Sequence, residues 1–152
     1  MIKDKNILQL PPLGKVFTLT GKSFLHLLNE KLSYLDIDRD YYALILIEAG
    51  NGNLTQNELA GMLETDKVSV VRIVDYLTLK GYVKRQENAA DKRKYCLTLT
   101  EKARETLPEI KRSMQESTET AFTGLSESQQ TTFLSLLGQI KNNLSKAKNT
   151  GL

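Results

Sequence analysis

The chain has 152 residues, of which 40% are hydrophobic, and this size predicts a single domain over residues 1–152 with one ordinary core. A single cysteine excludes an intrachain disulfide framework, and no apolar run approaches the roughly 20 residues of a membrane-spanning helix. Because the N-terminus also lacks the pattern of a secretion signal, we expect a cytoplasmic protein with no membrane partner.

The N-terminal third is predicted to be helical. Residues 13–34 carry apolar side chains at helical spacing and predict one long amphipathic helix. A short apolar helix is expected at residues 41–48, with Asp38 as its N-cap. The turn at residues 49–53 contains two glycines and two asparagines and should end that helix.

Two further helices follow without a gap. Thr55 and Glu58 form a capping box that should open a helix reaching about Leu63. Asp66 is the expected N-cap of the next helix, which should end at Gly81. Four apolar residues recur at helical spacing in this second helix and predict its buried stripe: Val70, Ile73, Val74 and Leu77. Three polar residues are expected to point outward: Ser69, Arg72 and Tyr76.

A basic hairpin is predicted next. Residues 82–86 and 95–99 are rich in aromatic and β-branched side chains, and the polar residues 87–94 should join them as two strands. Five basic residues lie between Tyr82 and Tyr95, namely Lys84, Arg85, Lys92, Arg93 and Lys94. Only Glu87 and Asp91 oppose them, so the positive charge is concentrated on the hairpin. Two helices followed by such a hairpin indicate a winged helix-turn-helix, which typically reads duplex DNA.

The C-terminal third is again predicted to be helical. Thr100 should open a helix that reaches about Phe122 and that Pro108 is expected to kink. Ser126 and Gln129 form a second capping box before a last helix. That helix carries an apolar stripe: Phe133, Leu136, Leu137, Ile140 and Leu144. A partner subunit best explains such exposed stripes, although the helices would also be covered if they folded back on the same chain.

The predicted fold is therefore mainly α with a small β-hairpin wing. The winged helix-turn-helix spans about residues 38–100, and helices that form a homodimer flank it at about residues 1–35 and 101–147.

The sequence resembles the MarR (multiple antibiotic resistance regulator) family of bacterial transcription factors over the whole chain. Four pieces carry the resemblance: Leu54-Thr55-Gln56-x-Glu58-Leu59-Ala60, Asp66-Lys67, Leu77-x-x-Lys80-Gly81-Tyr82-Val83-x-Arg85, and Asp91-Lys92-Arg93 ahead of Leu99-Thr100-Glu101-Lys102. The sequence departs from the family pattern at three positions. Val71 stands where members often have Ser or Thr, Tyr76 where they often have Arg, and Ala103 where they often have Gly.

The resemblance implies a homodimer whose second helix enters the major groove of double-stranded DNA while the wing reaches the minor groove. The DNA-binding residues expected on this basis are Lys67, Ser69, Arg72, Tyr76, Lys92, Arg93 and Lys94. Asp91 is expected to orient Arg93. The function implied is that of a transcriptional regulator, a ligand-responsive repressor of a pseudo-palindromic operator.

The resemblance also implies that a small aromatic acid or phenol binds between the dimerisation helices and the winged helix. Four residues near that junction are the expected lining: Phe24, His26, Tyr41 and Tyr42. Core packing explains Phe24 and Tyr42 equally well, and His26 fits an exposed position. Cys96 is better explained as a small residue packed beneath the wing than as a redox switch.

Two other classes of function are compatible with parts of the sequence. A protein-interaction module with the same fold would bind duplexes without sequence preference, and Val71 and Tyr76 make this alternative conceivable. An enzyme is the least supported class, because one histidine and one cysteine supply no nucleophile–base pair and no metal-ligand spacing. We expect no catalysis, no metal and no cofactor.

Overall fold

A computed structural model describes residues 11–149. This part of the chain forms six helices and one β-hairpin: α1 (Leu13–Lys31), α2 (Tyr41–Ala49), α3 (Gln56–Met62), α4 (Lys67–Leu79), β1 (Val83–Glu87), β2 (Tyr95–Leu99), α5 (Glu101–Ala121) and α6 (Glu127–Asn149). The predicted fold class is confirmed. The part of the expected N-terminal dimerisation region that falls on residues 1–10 lies outside the described residues.

The chain divides into two compact units, residues 1–117 and residues 118–152. They are described separately, and the expected single domain stays a prediction. Within residues 11–149, no helix has both the length and the apolar character that crossing a membrane requires.

Both predicted caps of the helix-turn-helix are confirmed. The Glu58 backbone N–H donates to Thr55 Oγ1 at 3.3 Å, and the Thr55 N–H donates to Glu58 Oε2 at 2.8 Å, which completes the capping box of α3. The Ser69 N–H donates to Asp66 Oδ1 at 2.8 Å and so caps α4. At the other end of α4, Gly81 adopts a φ of 78°, a left-handed conformation that glycine reaches without steric cost.

The predicted cap of α2 is wrong. Asp40, not Asp38, precedes this helix, and its own side chain makes no capping hydrogen bond. The Asp38 carboxylate instead accepts a hydrogen bond from the Tyr76 hydroxyl at 2.9 Å. Asp38 and Tyr76 are 38 positions apart, and local sequence spacing cannot reveal such a contact. The sequence pattern therefore indicated only a nearby partner for the Asp38 carboxylate, the start of α2.

The hairpin is antiparallel, with Val83 opposite Leu99 and Glu87 opposite Tyr95. Its inner strand is attached to the helix-turn-helix by a backbone hydrogen bond of 2.8 Å from the Leu97 N–H to the Leu54 carbonyl. Because β2 is held on its other edge by the chain that leads into α3, the root of the hairpin is fixed relative to the two helices.

One core joins the helices of the first unit to the root of the hairpin. Its fully buried members include Leu28, Leu32, Leu44, Ile47, Leu59, Val70, Val74, Leu77, Leu97, Leu107 and Ile110. Ile73, predicted to be buried with the stripe of α4, is only partly buried at the edge of this core. Helix α5 contains Pro108 and continues past it to Ala121.

The second unit is described here by the end of α5 and by α6. The Ser126 N–H donates to Gln129 Oε1 at 2.8 Å and the Gln129 N–H donates to Ser126 Oγ at 3.2 Å, so the second predicted capping box is confirmed. The rings of Phe122 and Phe133 meet edge to face with centroids 5.8 Å apart. The predicted apolar stripe of α6 is exposed along its whole length, and α6 has no buried residue.

Two leucines of α4 provide a matched test of this packing. Leu77 is fully buried whereas Leu79 is 84% exposed. We expect Leu77→Ala to lower the free energy of unfolding by about 2–5 kcal/mol, because it removes buried methyl groups and leaves a cavity. Leu79→Ala should change it by less than about 0.5 kcal/mol. Urea unfolding at one fixed protein concentration measures both, and equal effects would contradict the burial of this helix face.

Candidate nucleic-acid interface

Helix α4 presents one face to the core and the opposite face to solvent. Successive side chains of a helix are rotated by about 100°, so burial of Val70, Val74 and Leu77 defines the outward direction. That direction passes through Val68 and Arg72, both of which are exposed. Ser69 and Tyr76, which the sequence pattern assigned to the outward face, lie at its edge and are half-buried.

Two cations of α4 are available for a ligand. Lys67 and Arg72 are exposed, and neither has a hydrogen-bond or ion-pair partner among residues 11–149. Lys67 is the first residue of the helix, next to its positive dipole end. The helix therefore offers two cationic side chains at its N-terminal half without first having to break an internal contact.

The hydroxyl of Ser69 is less available than the sequence suggested. Ser69 Oγ donates to Asp66 Oδ2 at 2.7 Å. This hydrogen bond, together with that from the Ser69 backbone N–H, holds the pKa of the Asp66 carboxyl below its ordinary value. Only the lone pairs of the hydroxyl remain for a further contact unless the cap of α4 is broken.

Tyr76 faces a neighbouring segment of the chain, so the prediction that it points outward to DNA is wrong for its hydroxyl. Besides donating to Asp38, Tyr76 Oη accepts from the Asp38 backbone N–H at 3.1 Å. The Arg39 guanidinium lies 3.9 Å from the centre of the Tyr76 ring. Partial burial is the main cause that raises the pKa of this phenol. Tyr76 thus ties α4 to the segment between α1 and α2.

The tip of the wing is built by backbone turns. Asn88 Oδ1 accepts from the backbone N–H groups of Ala90 and Asp91, at 2.8 and 3.1 Å. Asp91 Oδ1 then accepts from the backbone N–H of Arg93 at 3.1 Å. Asp91 therefore contacts Arg93 through its main chain, and no ion pair joins their side chains in the described part of the protein. The three predicted basic residues of the tip are all exposed: Lys92, Arg93 and Lys94.

Arg85 is a residue whose role the sequence did not reveal. The sequence marked it as one of five positive charges of the hairpin and as part of the family resemblance, yet its guanidinium is engaged within the protein. Arg85 Nη2 donates to Asp75 Oδ1 of α4 at 2.6 Å and to Gln56 Oε1 of α3 at 3.0 Å. One side chain of β1 thereby joins the wing to both helices, and no local pattern in the sequence signals such a three-way contact.

A second polar junction lies at the C-terminal end of α4. Lys102 Nζ donates to the Lys80 carbonyl at 2.8 Å and to Asp36 Oδ2 at 2.6 Å. The Tyr82 hydroxyl donates to Asp36 Oδ1 at 2.7 Å. These two donors, Lys102 first and Tyr82 second, hold the pKa of the Asp36 carboxyl below its ordinary value. The C-terminal end of α4 is therefore held by a side chain from α5, whereas its N-terminal end is capped by the adjacent Asp66.

A cavity of about 580 Å³ opens beside Tyr76, and we name it the junction cavity. Its walls come from the end of α1, the segment between α1 and α2, and α4: Asn29, Ser33, Leu35, Asp36, Ile37, Asp38, Arg39, Tyr41, Tyr76 and Lys80. Of the four predicted lining residues only Tyr41 takes part. Phe24, His26 and Tyr42 do not line this cavity, and the latter two are exposed, so their expected contact with an effector stays a prediction.

Cys96 is buried in β2 beneath the wing, with Asn88 Nδ2 at 3.3 Å from its sulfur. No group of three or more His, Cys, Asp or Glu side chains able to hold a metal ion occurs in the described range.

Comparison with known proteins places this geometry among winged-helix regulators. Residues 37–94 match the model of the MarR family. The uncharacterized HTH-type transcriptional regulator YybA of Bacillus subtilis is 25% identical over 118 residues, which cover 78% of this chain and 79% of that protein. The multiple antibiotic resistance protein MarR of Escherichia coli is 34% identical over 89 residues, but the match spans only 62% of its length and 59% of this chain.

Solved structures agree in fold. The transcriptional regulator SlyA superimposes with a TM-score of 0.81 at 24% identity, covering 93% of this chain and all of that one. A cysteine-to-serine mutant of Escherichia coli MarR, complexed with operator DNA, gives a TM-score of 0.76 at 28% identity and covers 85% of this chain and 93% of that chain.

The contacts of Arg85 lead to a test with a neighbouring control. Arg85→Met should accelerate amide hydrogen exchange in β1 and in the loop before β2, because the wing loses its side-chain attachment to α3 and α4. The free energy of unfolding should change by no more than about 1 kcal/mol, since the ion pair is largely exposed. Lys84→Met removes a positive charge from the same strand and should leave exchange unchanged. Equal exchange in the two variants would show that Arg85 does not hold the wing.

Proposed function

Because this chain belongs to the MarR family of winged-helix, DNA-binding transcriptional regulators, we propose that it acts in the cytoplasm as a homodimeric repressor of a pseudo-palindromic operator. The observation that carries the proposal is that Arg72, on the outward face of α4, and Lys67, at its first position, are exposed and have no hydrogen-bond or ion-pair partner among residues 11–149. A core-anchored helix with unengaged cations on its outer face suits the major groove of DNA.

Each basic residue has a distinct role in this proposal. Arg72 is long and forked enough to donate two hydrogen bonds to guanine O6 and N7. Lys67, at the first position of α4, contacts a phosphate and so positions the helix without specifying sequence. Lys92 and Lys94 bind phosphates beside the wing, and Arg93 enters the adjacent minor groove. Tyr76 is left out of this set because its hydroxyl is bonded to Asp38.

A second copy of the chain is the partner that the terminal helices favour. The stripe of α6 that begins at Phe133 and ends at Leu144 is exposed, as are Leu13, Leu19 and Leu25 of α1. Contiguous apolar faces of this kind are rare on monomeric proteins. A two-fold dimer would set its two copies of α4 about 34 Å apart, one turn of B-DNA, and would therefore prefer half-sites about 10 base pairs apart.

Selection from a randomised duplex pool tests the proposal. With the purified protein at near-physiological salt, where phosphate contacts alone do not dominate, we expect enrichment of a pseudo-palindrome with half-site centres about 10 base pairs apart. Arg72→Ala, selected in parallel, should lose its preference at one base pair of each half-site, corresponding to about 1–3 kcal/mol. Arg93→Ala should weaken binding to all sequences by a similar factor.

Three results would contradict this proposal. Equal sequence preference in the wild type and Arg72→Ala would remove Arg72 from base recognition. A motif without two-fold symmetry would argue against the dimer. Binding without any enriched sequence would favour a protein-interaction module that shares the fold.

We further propose that a small aromatic acid or phenol regulates binding from the junction cavity. Its walls hold both Asp36 and Asp38 carboxylates and the cations of Arg39 and Lys80, so a phenol hydroxyl or a carboxylate finds a partner of suitable charge. Because Tyr76 of α4 forms one wall, an occupant of the cavity touches the DNA-reading helix directly. Displacement of the Tyr76 contacts with Asp38 would change the orientation of α4.

Phenol and benzoate are the probes for this regulation. Addition of either should weaken binding to the selected operator, as measured by fluorescence anisotropy. Ser33→Trp, which places a large ring at the wall of the cavity, should abolish the response. His26→Ala is the matched control, because this side chain is exposed and does not line the cavity, and it should respond as the wild type does. An undiminished response in Ser33→Trp would place the effector site elsewhere.

A further inference from the structure

Two exposed valines lie in the N-terminal half of the DNA-reading helix. Val68 is 63% exposed and Val71 is 38% exposed, in the first two turns of α4. Packing in the core does not explain why valine stands at these two positions, because neither side chain belongs to the buried face of α4. Local helix stability does not account for them either, since valine is a poorer helix former than alanine, leucine or lysine. An external partner gives a physical reason for two neighbouring apolar side chains at this place.

The two valines are neighbours of Arg72 on the surface of α4. Val68 and Val71 are three residues apart and therefore neighbours on the helix surface, and Val68 lies one turn before Arg72 on the same face. The three side chains form a small surface that is apolar at the N-terminal end and cationic beyond it. In helix-turn-helix proteins the N-terminal residues of the second helix contact base edges. The surface formed by Val68, Val71 and Arg72 is continuous with the proposed DNA contacts.

Only one group in the major groove offers an apolar partner. The edges of guanine, cytosine and adenine present hydrogen-bond donors and acceptors, whereas thymine adds its C5-methyl group. A valine side chain has no hydrogen-bonding atom and gains nothing from the polar edges. Contact with a thymine methyl removes apolar surface from water on both sides.

We propose that Val68 and Val71 read thymine methyl groups beside the guanine that Arg72 reads. This inference rests on the proposed function and adds a base preference to it: each half-site contains thymine next to the base pair contacted by Arg72. Two features of the surface favour DNA as the occupant. Lys67 and Arg72 flank the valines with positive charge, and the surface belongs to the same helix face as the proposed guanine contact.

Leu79 is the internal comparison for this assignment. It is the most exposed apolar residue of α4 and points in nearly the same direction as Val68. Eleven residues separate the two, which is about 16 Å along a helix. Leu79 lies at the C-terminal end of α4, away from the end that meets the bases, and should therefore not sense a thymine methyl.

Deoxyuridine substitution tests the proposal because it removes the methyl group and keeps every hydrogen-bonding atom of the base. Starting from the selected operator, each thymine of a half-site is replaced in turn and the dissociation constant is measured. We expect one or two positions at which the wild type loses affinity about 4-fold, and about 16-fold when both half-sites are changed. Val68→Ala or Val71→Ala should lose this sensitivity, whereas Leu79→Ala should retain it.

The outcomes separate this inference from the function on which it rests. If no sequence is enriched in the selection, both proposals are overturned. If a pseudo-palindrome is bound but no deoxyuridine substitution changes affinity, only the thymine readout is overturned. Retained sensitivity in both valine variants also overturns it. Urea unfolding is measured for each variant. A midpoint equal to that of the wild type excludes a folding defect as the cause of a change in affinity.

Discussion

The burial of one face of α4 is the constraint on which the rest of the structure depends. Val70, Val74 and Leu77 have almost no exposed surface, and burial of such a side chain contributes about 1.5–3 kcal/mol. This packing fixes the rotation of the helix about its own axis. In the proposed function this rotation decides which side chains meet DNA, because a change of one residue in phase would replace Val68 and Arg72 by other residues.

The polar contacts around α4 have a different role. Arg85 connects the helix to α3 and to the wing, and Lys102 holds its C-terminal end against Asp36. Exposed ion pairs contribute only about 0–1 kcal/mol each, so these contacts add little to stability. Their directionality matters more, since they set the position of the wing and of the helix ends relative to the core. Apolar burial thus supplies the stability, and the polar junctions supply the geometry.

Tyr76 links α4 to the junction cavity. Its ring stacks with Arg39 and its hydroxyl bonds to Asp38, both from the segment between α1 and α2. The same segment forms much of the cavity wall. In the proposed regulation, a ligand in the cavity changes the orientation of α4 by competing with Asp38 for the hydroxyl of Tyr76.

The sequence by itself determined the fold and the local starts and ends of most of its elements, the start of α2 excepted. The capping boxes at Thr55 and Ser126, the cap at Asp66 and the turn at Gly81 were predicted because each depends on residues within a few positions of one another. Only the tertiary structure decided where long side chains find their partners. Asp38 bonds to Tyr76, Arg85 bonds to Gln56 and Asp75, and the cavity includes Tyr41 but not Phe24, His26 or Tyr42. These contacts join elements that are far apart in the chain, and they depend on the relative positions of packed helices, which local spacing does not specify.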